Sequence, residues 1–81
     1  MAMDIEIRYF AAARAAAGVS VERVGSAPLS SILKSVSANN PQLKVVLDQC
    51  SFLVDSLAVH DLDINVNAGS FIDVLPRFAG G

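Results

Sequence analysis

Apolar and polar side chains alternate along residues 3–10. One face of this segment would carry Met3, Ile5, Ile7 and Tyr9, and the other Asp4, Glu6 and Arg8. Because successive side chains point to opposite faces of a strand, this pattern predicts a half-buried β-strand. Phe10 falls on the solvent-exposed face of this strand, where an exposed aromatic side chain indicates a candidate contact surface.

An alanine-rich stretch, AAARAAAG, follows at residues 11–18. Alanine favours helix, but seven residues do not hold a helix alone, so we expect a short helical turn packed on its neighbours. Gly18 suits the left-handed position that closes a helix. Residues 19–24 then predict a second strand, whose polar residues indicate a sheet edge.

A longer helix is predicted by an i, i+3, i+4, i+7 stripe of apolar residues: Leu29, Ile32, Leu33 and Val36. Ser26 is a candidate N-cap, and Pro41 should stop the helix because the residue before proline avoids helical geometry. The same spacing predicts a shorter second helix at Leu43, Val46, Leu47 and Cys50.

The last third of the chain predicts strands. These are residues 51–55, 57–59 and 71–75, with a weak strand or extended loop at 62–66 and Pro76 ending the last one. This order predicts an α+β fold with a mixed sheet crossed by one long helix. The first and last strands should be central because they carry the strongest apolar faces, and the domain should span residues 1–76.

Composition narrows the class of protein. The chain has 81 residues, so we expect one domain, and 53% of them are hydrophobic. The net charge is −2 with no basic cluster, which argues against nucleic acid as a partner. One cysteine excludes an internal disulfide, and no apolar run approaches the ~18 residues of a membrane span. Without a signal-like N-terminus, we expect a cytoplasmic protein with no membrane partner.

No set of residues resembles a catalytic centre. His60 is followed by Asp61 and Asp63, but a solvated loop explains them better than a metal site, which usually needs three or four suitable ligands. Cys50 occupies an apolar position without a histidine to activate it, so we expect a buried structural thiol. The chain is therefore expected to bind no metal and no cofactor, and to perform no chemistry alone.

The C-terminal segment, residues 77–81, reads Arg77, Phe78, Ala79, Gly80 and Gly81. We expect a thin, flexible tail that could enter a narrow channel, although a frayed terminus would look the same. Leu75 should lie on the solvent-exposed face of the last strand. If the first and last strands pair, Phe10 and Leu75 would form one apolar patch at the root of the tail, unless Phe10 curls over an edge.

Both ends of the chain carry a family resemblance. The opening has Arg8-Tyr9-Phe10-Ala11 followed by Arg14 and Gly18, and the ending has a hydrophobic strand, Pro76, two residues and Ala-Gly-Gly. In these motifs and in its length the sequence resembles the MoaD/ThiS family of ubiquitin-like sulfur carriers, most closely the small subunit of molybdopterin synthase. Arg77 departs from the second proline that members often have.

The resemblance implies a ubiquitin-like β-grasp fold and a non-catalytic carrier. An E1-like adenylating enzyme would consume ATP to adenylate Gly81, and a sulfur donor protein would convert it to a thiocarboxylate. The large subunit of molybdopterin synthase, in a heterotetramer of two small and two large subunits, would use that sulfur to build molybdopterin for the molybdenum cofactor. Gly80 would provide access, and the partner would contact Phe10, Leu75, Arg77, Phe78 and Ala79.

Two alternatives remain open. The same carrier chemistry could serve thiamin or cysteine synthesis, although the alanine-rich helix is more typical of the molybdopterin type. The chain could also be a ubiquitin-like modifier or an interaction domain, joined to or bound by other proteins.

Overall fold

The computed structural model describes residues 4–77, and these contain seven strands and three helices. The strands are β1 (Ile5–Tyr9), β2 (Val21–Val24), β3 (Ala27–Pro28), β4 (Cys50–Val54), β5 (Leu57–Val59), β6 (Asn65–Val66) and β7 (Phe71–Pro76). The helices are α1 (Ala11–Ala17), α2 (Leu29–Ser37) and α3 (Pro41–Leu47). The helix predicted to be long, α2, has nine residues, against seven in α1 and in α3.

Five strands form one mixed sheet in the order β2-β1-β7-β4-β5. β1 and β7 run parallel, with Ile7 opposite Ile72, and the β1–β2, β4–β7 and β4–β5 pairs are antiparallel. The prediction that the first and last strands lie inside the sheet is confirmed, and so is the edge position of β2. The mixed α+β architecture is confirmed with them.

The core lies between one face of this sheet and the helices. Alternation in β1 is confirmed, because Ile5, Ile7 and Tyr9 are buried while Glu6 and Arg8 are only partly covered. Met3 lies outside the described residues. The rest of the core comes from β7, β4, β6 and the apolar sides of the helices: Ile72, Val74, Phe52, Val66, Ala13, Leu29, Ile32, Leu33, Leu43 and Leu47.

Two predicted helix ends are confirmed. Gly18 closes α1 with φ of +80°, and its N–H donates to the Arg14 carbonyl at 2.9 Å. Pro41, expected to stop α2, is the first residue of α3, and the side-chain oxygen of the preceding Asn40 accepts the Leu43 N–H at 3.0 Å. The side-chain nitrogen of Asn40 donates to the Ala16 carbonyl at 2.9 Å and ties α3 to α1.

The predicted cap at Ser26 is wrong. The chain stays extended through Ala27–Pro28, which pairs with Asn65–Val66 in a small second sheet, so α2 begins only at Leu29. The first N–H groups of α2 still find partners: Leu29 donates to the Ile64 carbonyl at 2.9 Å and Ser30 to the Leu62 carbonyl at 2.7 Å. The loop before β6 therefore satisfies the helix in place of a capping side chain.

The helical position predicted for Cys50 is also wrong. α3 ends at Leu47, and Cys50 is the first residue of β4, opposite Pro76 of β7. Pairing with a central strand overrides the local helical spacing, although the thiol still donates to the Val46 carbonyl at 3.1 Å. β4 then turns into β5 through Asp55 and Ser56, both with positive φ.

Within residues 4–77, no helix is long and apolar enough to cross a membrane. The division into a domain at 1–76 and a tail at 77–81 remains a prediction.

Candidate functional site

The point at which the chain leaves the sheet is fixed by two neighbouring strands. β7 lies between β1 and β4, and its last residue, Pro76, pairs with Cys50. Beyond it, the Arg77 N–H donates to the Gln49 carbonyl at 3.0 Å. The start of the predicted tail is therefore anchored to the end of the central sheet. Phe78, Ala79, Gly80 and Gly81 lie outside the described residues, and their roles stay predictions.

Phe10 lies at the same end of the sheet. It directly follows β1, 40% of its surface is exposed, and its N–H donates to the Val74 carbonyl at 3.3 Å. Ala11 has φ of +50°, and at this residue the chain turns from the strand into α1. Leu75 follows Val74 in β7 and is partly exposed, opposite Ser51 of β4. The two residues thus occupy the ends of adjacent strands, and a single apolar patch formed by both side chains remains a prediction.

The sheet face opposite the helices carries a polar cluster that the sequence did not predict. The Arg8 guanidinium binds both carboxylate oxygens of Asp73, at 2.6 Å and 3.1 Å, and its central carbon lies 4.2 Å from the centre of the Phe71 ring. The hydrogen bond to Asp73 raises the pKa of Arg8 above its ordinary value. The alternation placed Arg8 on this face, but its contact with Asp73 depends on the parallel pairing of β1 with β7.

The side chains considered for metal binding have other partners. The Asp61 carboxylate accepts the Asp63 N–H at 2.9 Å, and the Asp63 carboxylate accepts the Ser30 hydroxyl at 3.2 Å. His60 is exposed. Across residues 4–77, no three His, Cys, Asp or Glu side chains are grouped so that they could hold a metal ion. The two carboxylates therefore hold this loop together and join it to the start of α2.

Cys50 is buried, as predicted, with 5% of its surface exposed. Burial raises the pKa of its thiol, while the nearby Arg77 charge acts in the opposite direction. A buried thiol with a raised pKa is a poor nucleophile at neutral pH. The side chain therefore contributes to packing.

The sheet order, its parallel central pair and the helices on one face define a ubiquitin-like β-grasp protein. The sequence profile of the ThiS family matches residues 7–81, and the chain belongs to this family of small ubiquitin-like sulfur carriers. Family members of this kind are non-catalytic carrier subunits. No curated protein sequence matches the chain.

Solved structures share this fold over nearly the whole chain. SAMP1 from Haloferax volcanii is 25% identical, with a TM-score of 0.78 over 95% of this chain and 98% of its own. A putative molybdopterin converting factor subunit 1 from Pyrococcus furiosus is 20% identical, with a TM-score of 0.79 over 91% and 97%. A complex of subunits 1 and 2 of molybdopterin-converting factor from Helicobacter pylori contains a chain that is 19% identical, with a TM-score of 0.72 over 95% and 97%.

Proposed function

We propose that this protein carries sulfur as a thiocarboxylate on Gly81 and delivers it to molybdopterin synthesis. The family match carries this proposal, because it extends through Gly80 and Gly81 rather than stopping at the end of the sheet. The anchored start of the tail adds support. With the Arg77 N–H bound to the Gln49 carbonyl, the four residues that follow begin from a fixed point beside β4.

The chemistry requires activation by a partner. A C-terminal carboxylate has a pKa of about 3.5 and is ionised at neutral pH, so it is a poor electrophile. An E1-like enzyme would use ATP to form an acyl-adenylate on Gly81 and release pyrophosphate. Sulfur released by a donor protein at the oxidation level of sulfide (HS⁻) would then attack the acyl carbon, form the C–S bond and displace AMP, leaving a thiocarboxylate and one proton. ATP and the acid–base groups belong to these partners.

The acceptor would be a pterin precursor held by the large subunit of molybdopterin synthase. The Helicobacter pylori complex of subunits 1 and 2 supports a partner of this kind. In a heterotetramer, Phe10 and Leu75 would dock the large subunit, Arg77, Phe78 and Ala79 would line its channel, and Gly80 would let Gly81 reach the pterin. All of these steps take place in the cytoplasm in this proposal.

The experiment is a mass measurement after incubation with the cognate activating enzyme, ATP and a sulfide source. Exchange of oxygen for sulfur adds about 16 Da, close to the gain from oxidation. Trypsin cleavage after Arg77 separates these cases, because the resulting peptide of residues 78–81 contains neither methionine nor cysteine. We expect the gain on that peptide, only with ATP, and none in a variant lacking Gly81. An unchanged peptide with an active enzyme would contradict the proposal.

A second readout uses the burial of Cys50. A thiocarboxylate stays ionised at mildly acidic pH, where a buried thiol with a raised pKa is protonated. An alkylating reagent at that pH should therefore label the protein that carries a thiocarboxylate once, on residues 78–81, and leave Cys50 unlabelled. Label on Cys50 alone would count against a thiocarboxylate.

A second candidate function is protein modification. It is favoured by the 25% identity to SAMP1, the small archaeal modifier protein 1 of Haloferax volcanii. The same Gly81 adenylate would then react with a lysine amine of another protein, forming an amide and releasing AMP. Conjugates that disappear when Gly81 is deleted would support it. Complementation of a strain lacking its molybdopterin carrier, against strains lacking thiamin or cysteine carriers, would separate the sulfur pathways.

A further inference from the structure

A groove of about 540 Å³ runs between α2, α3 and the outer strand β5. Its floor includes the buried side chains Leu33, Leu47 and Phe52, and the exposed strand residue Ala58 lies along one side. We call this the α2–β5 groove. It lies on the helix side of the sheet, away from the Arg8–Asp73 cluster.

Basic side chains gather around the α2–β5 groove. Lys34, Lys44 and Arg77 line it, which is half of the six Lys and Arg residues of a chain whose net charge is −2. Asp48 is the one carboxylate among the lining residues, so the groove keeps a positive balance. In the part of the chain that the structure describes, none of these three side chains forms a salt bridge with an acidic side chain. Their charge is available to a negatively charged partner.

β5 provides free backbone groups beside these charges. It is the last strand of the sheet order and pairs only with β4 among residues 4–77. Val54 and Leu57 flank the two-residue turn, whose positive φ values are those of a tight hairpin, so they form the hydrogen-bonded pair that closes it. Pairs alternate along an antiparallel ladder, and the N–H and C=O of Ala58 therefore point away from β4.

From these features we propose that the α2–β5 groove binds an extended acidic and apolar peptide segment of a partner protein. The segment would add to β5 as a strand through the backbone groups of Ala58. The side chains that face the helices, which recur at every second position of the added strand, would pack apolar groups on Leu33, Leu47 and Phe52 and bring carboxylates to Lys34 and Lys44. Neither Phe10 nor Leu75 lines this groove, although Arg77 lines it and is also proposed to line the channel of the large subunit. Binding in the groove does not require a thiocarboxylate on Gly81.

The experiment selects peptides from a random display library on the immobilised full chain and maps the best one by amide NMR shifts. We expect enrichment of sequences that combine Val, Ile or Leu with Asp or Glu at every second position, and shifts centred on Ala58, Lys34 and Lys44. Affinity should fall steeply between about 0.1 M and about 1 M salt, as the Debye length shrinks from about 10 Å to about 3 Å. Enriched peptides without acidic residues, or shifts centred on Arg8 and Asp73, would overturn the proposal.

Charge variants test the role of the lysines. Lys34→Glu combined with Lys44→Glu should weaken binding about tenfold or more, because two attractive contacts become repulsive. Both lysines are exposed, so the core should tolerate the change. Arg14→Glu is the matched control: it alters the charge of an exposed cation on α1, outside the groove, and should change affinity less than about twofold. If Lys44→Glu and Arg14→Glu lowered the peptide affinity equally, the effect would come from the net charge of the protein alone. That result would reject the groove as the binding site.

A backbone variant tests strand addition separately. Ala58→Pro removes an N–H that β4 does not use, and proline is tolerated on an edge strand in that position. The amide spectrum should keep the folded pattern of the parent, while peptide binding is lost. A folded Ala58→Pro variant with undiminished binding would show that the peptide does not extend the sheet, and would overturn the proposed mode.

Discussion

Arg8 and Asp73 are joined across the parallel pair β1–β7 by two hydrogen bonds, 2.6 Å from Nε to Oδ1 and 3.1 Å from Nη2 to Oδ2. The same face carries a second pair, Arg23 with Glu6, at 3.4 Å and with both side chains more exposed. A two-point contact to a largely covered carboxylate should couple more strongly than a single exposed contact.

Double-mutant cycles on the two pairs measure this difference. We expect a coupling between about 0 and 1 kcal/mol for Glu6→Gln with Arg23→Gln, and a larger one for Arg8→Gln with Asp73→Asn. Chemical denaturation of the four variants in each cycle gives the values. Equal couplings would mean that the bidentate geometry adds nothing to stability.

Tyr9 predicts loss of stability at alkaline pH. Burial and the hydrogen bond that its hydroxyl donates to Glu22 at 2.8 Å both raise the pKa of Tyr9. The folded state therefore holds the phenol proton more tightly than the unfolded state. This stabilisation is fully present below the ordinary pKa of about 10 and is lost as pH rises through the raised value.

The free energy of unfolding should consequently fall above about pH 10, by up to about 1.4 kcal/mol per pH unit from Tyr9 alone. Denaturation curves at a series of alkaline pH values test this, with Tyr9→Phe as the control. That variant should lose about 0.5–1.5 kcal/mol at neutral pH and show a shallower alkaline slope. Parallel slopes in the two proteins would assign the alkaline loss to other groups.

Asn40 holds two helices with one side chain. Its oxygen caps α3 at Leu43, and its nitrogen reaches the last turn of α1 at Ala16. We expect Asn40→Ala to cost about 1–3 kcal/mol of unfolding free energy, because the cap and one further hydrogen bond are lost together. Thermal and chemical denaturation provide the measurement.

Two neighbouring variants make that result specific. Asn39→Ala changes an exposed asparagine one residue earlier and should stay within about 0.5 kcal/mol of the parent. Asn40→Asp keeps the acceptor for Leu43 but removes the donor to Ala16, so its stability should fall between the two. An Asn40→Ala protein as stable as Asn39→Ala would show that neither hydrogen bond matters.

The single thiol predicts slow modification of the folded protein. Cys50 is buried and its pKa is raised, so a thiol reagent at neutral pH should react about tenfold or more slowly with the native chain than with the chain in denaturant. Cys50→Ala measures the background. Similar rates with and without denaturant would indicate that β4 opens readily at its first residue.

The alternation of apolar residues was sufficient to predict which side chains of β1 are buried, and the i, i+3, i+4 stripe was sufficient for α2. These patterns are local consequences of side-chain periodicity. Cys50 fits a helical stripe equally well, and only its pairing with Pro76 decides for a strand. Likewise, nothing near Ser26 indicates that carbonyls of residues 62 and 64 satisfy the start of α2.

The candidate site also contains some features that the sequence could predict and others that it could not. Phe10 and Leu75 could be placed at the ends of the central strands from sequence order. The Arg8–Asp73 contact joins residues 65 positions apart. Lys34 of α2, Lys44 of α3 and Arg77, which follows β7, line one groove although they are far apart in the sequence. Such arrangements depend on the topology as a whole, which local patterns do not contain.

The parallel pairing of β1 with β7 also orders events during synthesis. β1 leaves the ribosome early, but its inner neighbour is the last strand of the described chain. Until β7 emerges, Ile5 and Ile7 have no partner on that side, and early products expose apolar surface. The central sheet can therefore be completed only after β7 has been synthesised.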